Sequence, residues 1–292
     1  MYINTPLLTH NLNQKTFLLK MDCWQPSGSF KLRGMTHLAR HYQQQGASKL
    51  VSSSGGNAGY SAAWAARELG MAITVVVPQT TPKTVQDRIS ALGAEVIVKG
   101  AVWEEAHAVA QEIASNEQGA LVHPFEHPIL WKGHSHLVDE IADQKPDAVV
   151  VAVGGGGLLN GLLEGMHRND WQDVPVYAAE TEGAASYAAA LQAGKPVRIP
   201  AINSIAKSLG ANQVSETAFN WSRKHNIRSL VMSDADALES CRRFANDFRA
   251  LVEPACGAAL SAMYLHQEAL GNAQNILIIV CGGIGISLDS LR

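Results

Sequence analysis

The segment PSGSFKLRG, Pro26 to Gly34, sets Lys31 behind a serine-rich turn and beside an aromatic residue. Pro26, Ser27, Gly28 and Ser29 form a turn that would present Phe30 and Lys31 together. A free lysine amine titrates near ~10.4, and an imine with an aldehyde escapes that limit. Released from the imine, the same amine is a base suited to taking a proton from the Cα of an amino acid. Phe30 would stack near a planar ring. The plainer reading, a surface lysine at a helix start, leaves this context unexplained.

Two glycine-rich stretches follow. SSSGGNAG (Ser52 to Gly59) comes after a strand pattern and opens a helix pattern. Asn57 is a good N-cap there, and the free N–H groups of a first helical turn attract anions. Ser54, Gly55 and Asn57 are candidate contacts for a substrate carboxylate; the alternative is a capped turn with permissive glycines. VGGGGLLNG (Val153 to Gly161) repeats the strand-to-helix geometry. Gly154, Gly155, Gly156 and Gly157 are costly in chain entropy unless the backbone must approach something closely, and with Leu158 they read as a phosphate cup. The three segments would hold the imine carbon, the carboxylate and the phosphate of one adduct. That combination suggests a pyridoxal phosphate enzyme.

A competing reading is a dinucleotide-binding oxidoreductase, with Glu180 ending the next strand. Its spacing fails: with Gly154 and Gly156 as the first two glycines, the third falls on Leu159. It also leaves PSGSFK unexplained. Cys281 ends the apolar run Ile276–Val280 and precedes Gly282 and Gly283. Buried cysteines are usually packing, but the C-terminal edge of a parallel sheet is where ligands gather. Facing a pyridine nitrogen, a thiol would leave that ring unprotonated. His134 and His136 are read as structural, and Cys256 as packing.

These groups need a scaffold, and the pattern supplies one. Strands are predicted at Lys49–Ser52, Ile73–Val77, Glu95–Val98, Ala148–Val153, Val176–Glu180 and Ile276–Cys281. Helices are predicted at Asn57–Leu69, Thr81–Leu92, Val102–Glu117, Leu158–His167 and Ala235–Ala250. Continuous Val/Ile runs suit parallel strands covered on both faces. The expectation is α/β architecture with two open parallel sheets. A small α/β domain, 34–128, is inserted into a larger cofactor-binding domain, 1–33 and 129–292, with the cofactor between them.

The chain has 292 residues, a net charge of -3 and 17% charged residues. It offers no basic surface for nucleic acid or anionic lipid. The N-terminus lacks a secretion-signal pattern, and the apolar runs are too short to span a bilayer. Four cysteines without CxxC spacing read as reduced thiols in a cytoplasmic protein.

In order, PSGSFKLRG, SSSGGNAG, VGGGGLLNG, VEPACGAAL (Val252 to Leu260) and VCGGIGIS (Val280 to Ser287) resemble the motifs of fold-type II pyridoxal phosphate enzymes. That is the tryptophan synthase β-subunit-like fold class. The match runs from about Thr5 to the C-terminus. It is nearest to the L-serine dehydratase/L-threonine deaminase branch, especially the short animal-type enzymes, which PFEHPILWKGHSHL (Pro124 to Leu137) also resembles. The resemblance implies that Lys31 carries the imine and acts as base, while Phe30 packs on the ring. Ser54, Gly55 and Asn57 hold the carboxylate, with Asn57 also reaching the ring hydroxyl. Gly154 to Leu158 bind phosphate, and Cys281 faces the ring nitrogen. A monovalent cation such as K+ is implied at Glu180, Ala184, Leu209 and Ala211.

The implied reaction is β-elimination of L-serine or L-threonine to a keto acid and ammonia, by a homodimer. Serine racemase and β-replacement enzymes share the fold and remain alternatives. Racemases of this fold carry a serine, as second base, where this chain has Gly55, which argues against racemisation. Ile284-Gly285 also departs from the Ser-Asn of close relatives. With nothing after Arg292 to house an effector domain, feedback control is not expected.

Overall fold

The computed structural model describes residues 1–116 and 119–291; Glu117, the last residue of one predicted helix, and Arg292 lie outside them. The chain divides into two compact units, Met1–Ile3 with Gln25–His134, and Asn4–Trp24 with Ser135–Arg292. The first unit thus begins and ends farther out than the 34–128 read from sequence. Lys31 falls within it.

Strands β1 (Leu7–Leu12) and β2 (Lys15–Lys20) form an antiparallel hairpin in the second unit. Asn13 and Gln14 make its turn, both at positive φ (51° and 67°), the conformation that two-residue hairpins require. The first unit then runs α1 (Lys31–Gln44), β3 (Lys49–Ser52), α2 (Asn57–Leu69), β4 (Ala72–Val77), α3 (Lys83–Ser90), β5 (Glu95–Val98), α4 (Trp103–Asn116) and β6 (Ala120–Val122). Helix α5 (Pro128–Asp139) carries the chain across the unit boundary.

The first unit's sheet has the order β5-β4-β3-β6 and is parallel throughout. Alternation of side chains across it explains the unbroken apolar runs. Leu50, Ile73, Val75 and Val77 pack into a layer with Leu38, Ala62 and Ala66. Val51 and Val76 pack in a separate cluster with Ala106, Ala110 and Ala114.

The second unit continues with β7 (Ala148–Ala152), α6 (Gly157–Arg168), β8 (Val176–Thr181), α7 (Ser186–Ala193), α8 (Glu216–Trp221), β9 (Ile227–Met232), α9 (Asp234–Phe248), α10 (Pro254–Tyr264) and β10 (Asn275–Ile279). Its sheet order is β1-β2-β10-β7-β8-β9, parallel except at β1. Every residue of β7 and β8 is buried, as both-face coverage demands. Lys20, wholly buried on β2, is held by Glu140 at 2.5 Å and by the Thr5 carbonyl at 2.6 Å. Among the described residues no helix is long and apolar enough to cross a membrane.

Candidate active site

The first unit carries Phe30, Lys31, Ser54, Gly55 and Asn57. Gly28 takes φ +74°, which turns the chain into α1 with Phe30 as its N-cap and Lys31 as its first residue. Ser27 Oγ and Ser61 Oγ, both buried, lie 2.9 Å apart, so this turn is pinned to α2. Lys31 is half-buried; its Nζ donates to the Pro124 carbonyl at 2.6 Å and stands 5.2 Å from the Phe30 ring centroid.

The loop Ser53–Gly56 leaves the C-terminal end of β3 and enters α2. The N-cap is Gly56, not Asn57: Gly56 is extended, the helix starts at Asn57, and no side chain caps it. The loop is fixed from several sides. Ser54 Oγ accepts the Gly56 N–H at 3.3 Å. Ser53 Oγ lies 2.8 Å from His107 Nδ1 on α4. A Cβ on Gly59 would run into the Ser54 carbonyl, and one on Gly55 would stand 2.8 Å from Thr81 Oγ1. Such a loop brings backbone N–H groups close to an anion without side-chain bulk.

The second unit carries the remaining candidates. Gly154 to Gly157 connect β7 to α6. A Cβ on Gly154 would stand 3.0 Å from Leu209 Cα, and one on Gly156, at φ +98°, would overlap Ala218. Side chains are thus crowded at Gly154 and excluded at Gly156, and the loop opens onto the N-terminal turn of a twelve-residue helix, which fits a phosphate group. Leu209 lies directly behind it.

Cys281 lies two residues past the end of β10 instead of ending the strand as predicted, because β10 stops at Ile279. Gly282 and Gly283 then turn at φ 81° and 134°. The Cys256 thiol in hydrogen-bond contact, burial, and the Glu253 carboxylate push the Cys281 thiol well above its usual range. It stays a neutral S–H, the partner suited to an uncharged ring nitrogen. Glu253 was not singled out from sequence. It is the N-cap of α10, accepts from Ser208 Oγ and from the Gly285 N–H at 3.3 Å, and fills the space a Gly283 side chain would need. Its place beside Pro254 at a helix start was the available signal. Glu253 and Ser208 link Cys281 to Leu209 and so to the glycine loop.

Glu180 is fully buried at the end of β8. Its two carboxylate oxygens accept the Tyr187 and Ala188 N–H groups at 2.8 Å each. Burial raises its pKa to about 7 against these two bonds. Ser186 Oγ and Tyr187 OH, buried nearby on α7, have no hydrogen-bond partner. A buried carboxylate beside orphaned oxygens suits a hard monovalent cation. Ala184 and Leu209 are buried and Ala211 half-buried. No group of three or more His, Cys, Asp or Glu side chains placed to hold a metal ion occurs among the described residues.

The family model described as "Pyridoxal-phosphate dependent enzyme" matches residues 1–282, and the chain belongs to that family. More particularly, it is 45% identical to human L-serine dehydratase/L-threonine deaminase over 286 residues, 94% of this chain and 87% of that one. It is 38% identical to the L-serine dehydratase of Dictyostelium discoideum, covering 100% of this chain and 91% of the relative. The crystal structure of a fungal L-serine ammonia-lyase from Rhizomucor miehei superposes with a TM-score of 0.94 at 36% identity, covering 99% and 96% of the two chains. The expected fold-type II pyridoxal phosphate architecture is therefore the observed one.

Proposed function

We propose that this chain is a pyridoxal phosphate-dependent ammonia-lyase that converts L-serine or L-threonine to pyruvate or 2-oxobutanoate plus ammonia. The observation that carries this reading is the 45% identity, along 94% of the chain, to a protein named for both activities. When bound, the cofactor supplies an electron sink for the charge left on Cα.

The chain's own residues supply position and proton transfer. Lys31 would hold the cofactor through its aldehyde, and its free amine would be the base for the Cα proton. Ser54, Gly55 and Asn57 would bind the substrate carboxylate, and Asn57 would also hold the ring hydroxyl. Gly154 to Leu158 bind the phosphate through backbone N–H groups. Phe30 would pack on the ring, and Cys281 would face the ring nitrogen as an uncharged thiol. Loss of the Cα proton and the Cβ hydroxyl releases one water, and hydrolysis of the resulting enamine takes one water back to give keto acid and ammonia.

Serine racemisation, the nearest competing activity, needs a second base on the opposite face of Cα. Gly55 has no side chain to provide one. A monovalent cation at Glu180, Ala184, Leu209 and Ala211, a homodimeric state and a cytoplasmic setting complete the proposal.

The test is keto-acid release from L-serine and L-threonine by the purified protein and by Lys31→Ala. Turnover should fall by at least about a thousandfold in the variant. Equal turnover by both proteins would end this reading.

A further inference from the structure

The chain leaves β6 at Val122 and turns at once through His123, Pro124, Phe125 and Glu126. Within that turn the His123 ring folds back on its own backbone. Nδ1 accepts the Glu126 N–H at 2.8 Å and the Phe125 N–H at 3.3 Å. Two donors on one ring nitrogen require a lone pair there, which fixes the neutral ring with its proton on Nε2. The ring also meets Phe125 edge to face, with centroids 4.7 Å apart.

From α4 the His107 ring faces it at 6.3 Å. Burial, followed by repulsion from His107, Lys31 and His127, lowers the His123 pKa to about 4. The lone pair on Nδ1 therefore stays available throughout the neutral range.

A turn fixed in this way aims one group, the Pro124 carbonyl, at Lys31 Nζ, 2.6 Å away. Proline has a locked φ and no N–H of its own, so the residues on either side set the direction of that carbonyl. A lysine amine on four rotatable bonds loses considerable rotamer freedom when it must sit at one point. An acceptor built in advance lowers that cost at each return.

We propose that the Pro124 carbonyl is the seat to which the Lys31 amine returns whenever its covalent link is open, and that His123 is the positioning residue that keeps the carbonyl aimed. The proposal rests on the reading of Lys31 as the cofactor anchor. It adds that His123 governs how fast the link forms, and leaves the grip on the phosphate to the glycine loop.

The experiment mixes cofactor-free parental protein, His123→Ala and His123→Asn with pyridoxal 5'-phosphate. Stopped-flow absorbance follows the link, and borohydride reduction with peptide mapping locates it. The affinity of 4-deoxypyridoxine 5'-phosphate, which has no aldehyde, reports on the remainder of the site. His123→Ala should form the link about tenfold more slowly with unchanged affinity for the deoxy analogue. Asparagine also accepts N–H groups two and three residues ahead, so His123→Asn should return to within about threefold of the parent.

Parental speed in His123→Ala, an Asn variant as slow as the Ala one, or a matching loss of analogue affinity overturns the proposal. A parental chain that borohydride does not label at Lys31 overturns the anchor reading itself. A measurement on the unsubstituted protein stands apart from any folding defect. Nitrogen-15 spectra should show His123 Nδ1 without a proton at neutral pH, and an Nδ1–H tautomer or an ordinary titration near ~6.5 refutes the argument.

Discussion

The ring of His134 lies 4.9 Å from the ring of Phe30, and both its nitrogens are buried without a hydrogen-bond partner. It fits because α1 and α5 approach backbone to backbone. A Cβ on Gly34 would stand 2.6 Å from His134 Cε1, and one on Gly133 would stand 2.7 Å from the Arg33 carbonyl. The imidazole is thus a packing piece behind the residue that precedes Lys31. Burial, then the charges of Lys31, Arg33 and His37, lowers its pKa well below 6.5.

That depression has a sign for stability. The unfolded chain takes up the proton near 6.5 while the folded chain refuses it, so stability drops as pH falls below that value. His134→Leu exchanges an unsatisfied polar ring for an apolar group of similar size. It should leave stability at pH 7.5 unchanged or up to ~1 kcal/mol higher and flatten the acid limb. Urea unfolding at pH 7.5 and pH 5 checks this. A loss above ~2 kcal/mol at both values would show that the ring makes stabilising hydrogen bonds in the folded protein.

Gly156→Ala tests the phosphate cup. The position combines φ +98° with a Cβ that would overlap Ala218. The substitution should cost at least ~1–2 kcal/mol and weaken pyridoxal phosphate binding by about tenfold or more. Unchanged cofactor affinity by equilibrium titration would remove the loop from the site.

Gly55→Ser tests the one-base argument, with a complication visible only in the structure. The new Cβ would press on Thr81, whose Oγ1 would be 2.8 Å away. The serine should be accommodated better beside Thr81→Ala, and the double variant should convert more L-serine to D-serine per keto acid formed. A ratio equal to the parent's, read by chiral chromatography, counts against Gly55 as the determinant.

Glu180 carries an opposite pH signature. Its folded pKa of about 7 exceeds the ordinary 4.5, so the folded chain holds a proton that the unfolded chain has lost. Stability therefore declines as pH rises from 4.5 to 7, and the loss is complete above 7. A bound K+ would offset the carboxylate charge. Melting temperature should rise with K+ at pH 8 and much less at pH 5.5. The same rise with tetramethylammonium, too large for such a site, would dispose of the cation.

Much of the scaffold was legible because apolar period and glycine punctuation coincide. Lys49–Ser52, Glu95–Val98 and Asn57–Leu69 lie where the pattern puts them. The hairpin β1–β2 escaped notice because its turn is Asn13-Gln14, without the glycine that usually signals one. Helix α10 is apolar all round, so it has no period to find. Lys31 and the two loops stood out because glycine and serine are scarce in core elements. Glu253 and His123 did not, since their roles arise from chain segments far apart in sequence or from a ring turned back on its own backbone.

One topological detail bears on how the protein is made. Strand β10 lies between β2 and β7, so the middle of the second unit's sheet waits for residues 275–279. The four-stranded sheet needs nothing beyond β6. On a ribosome, nearly the whole first unit emerges before the strand that closes the other exists. Until then β2 and β7 expose apolar edges, a window for chaperone capture that pulsed hydrogen exchange on stalled nascent chains would record.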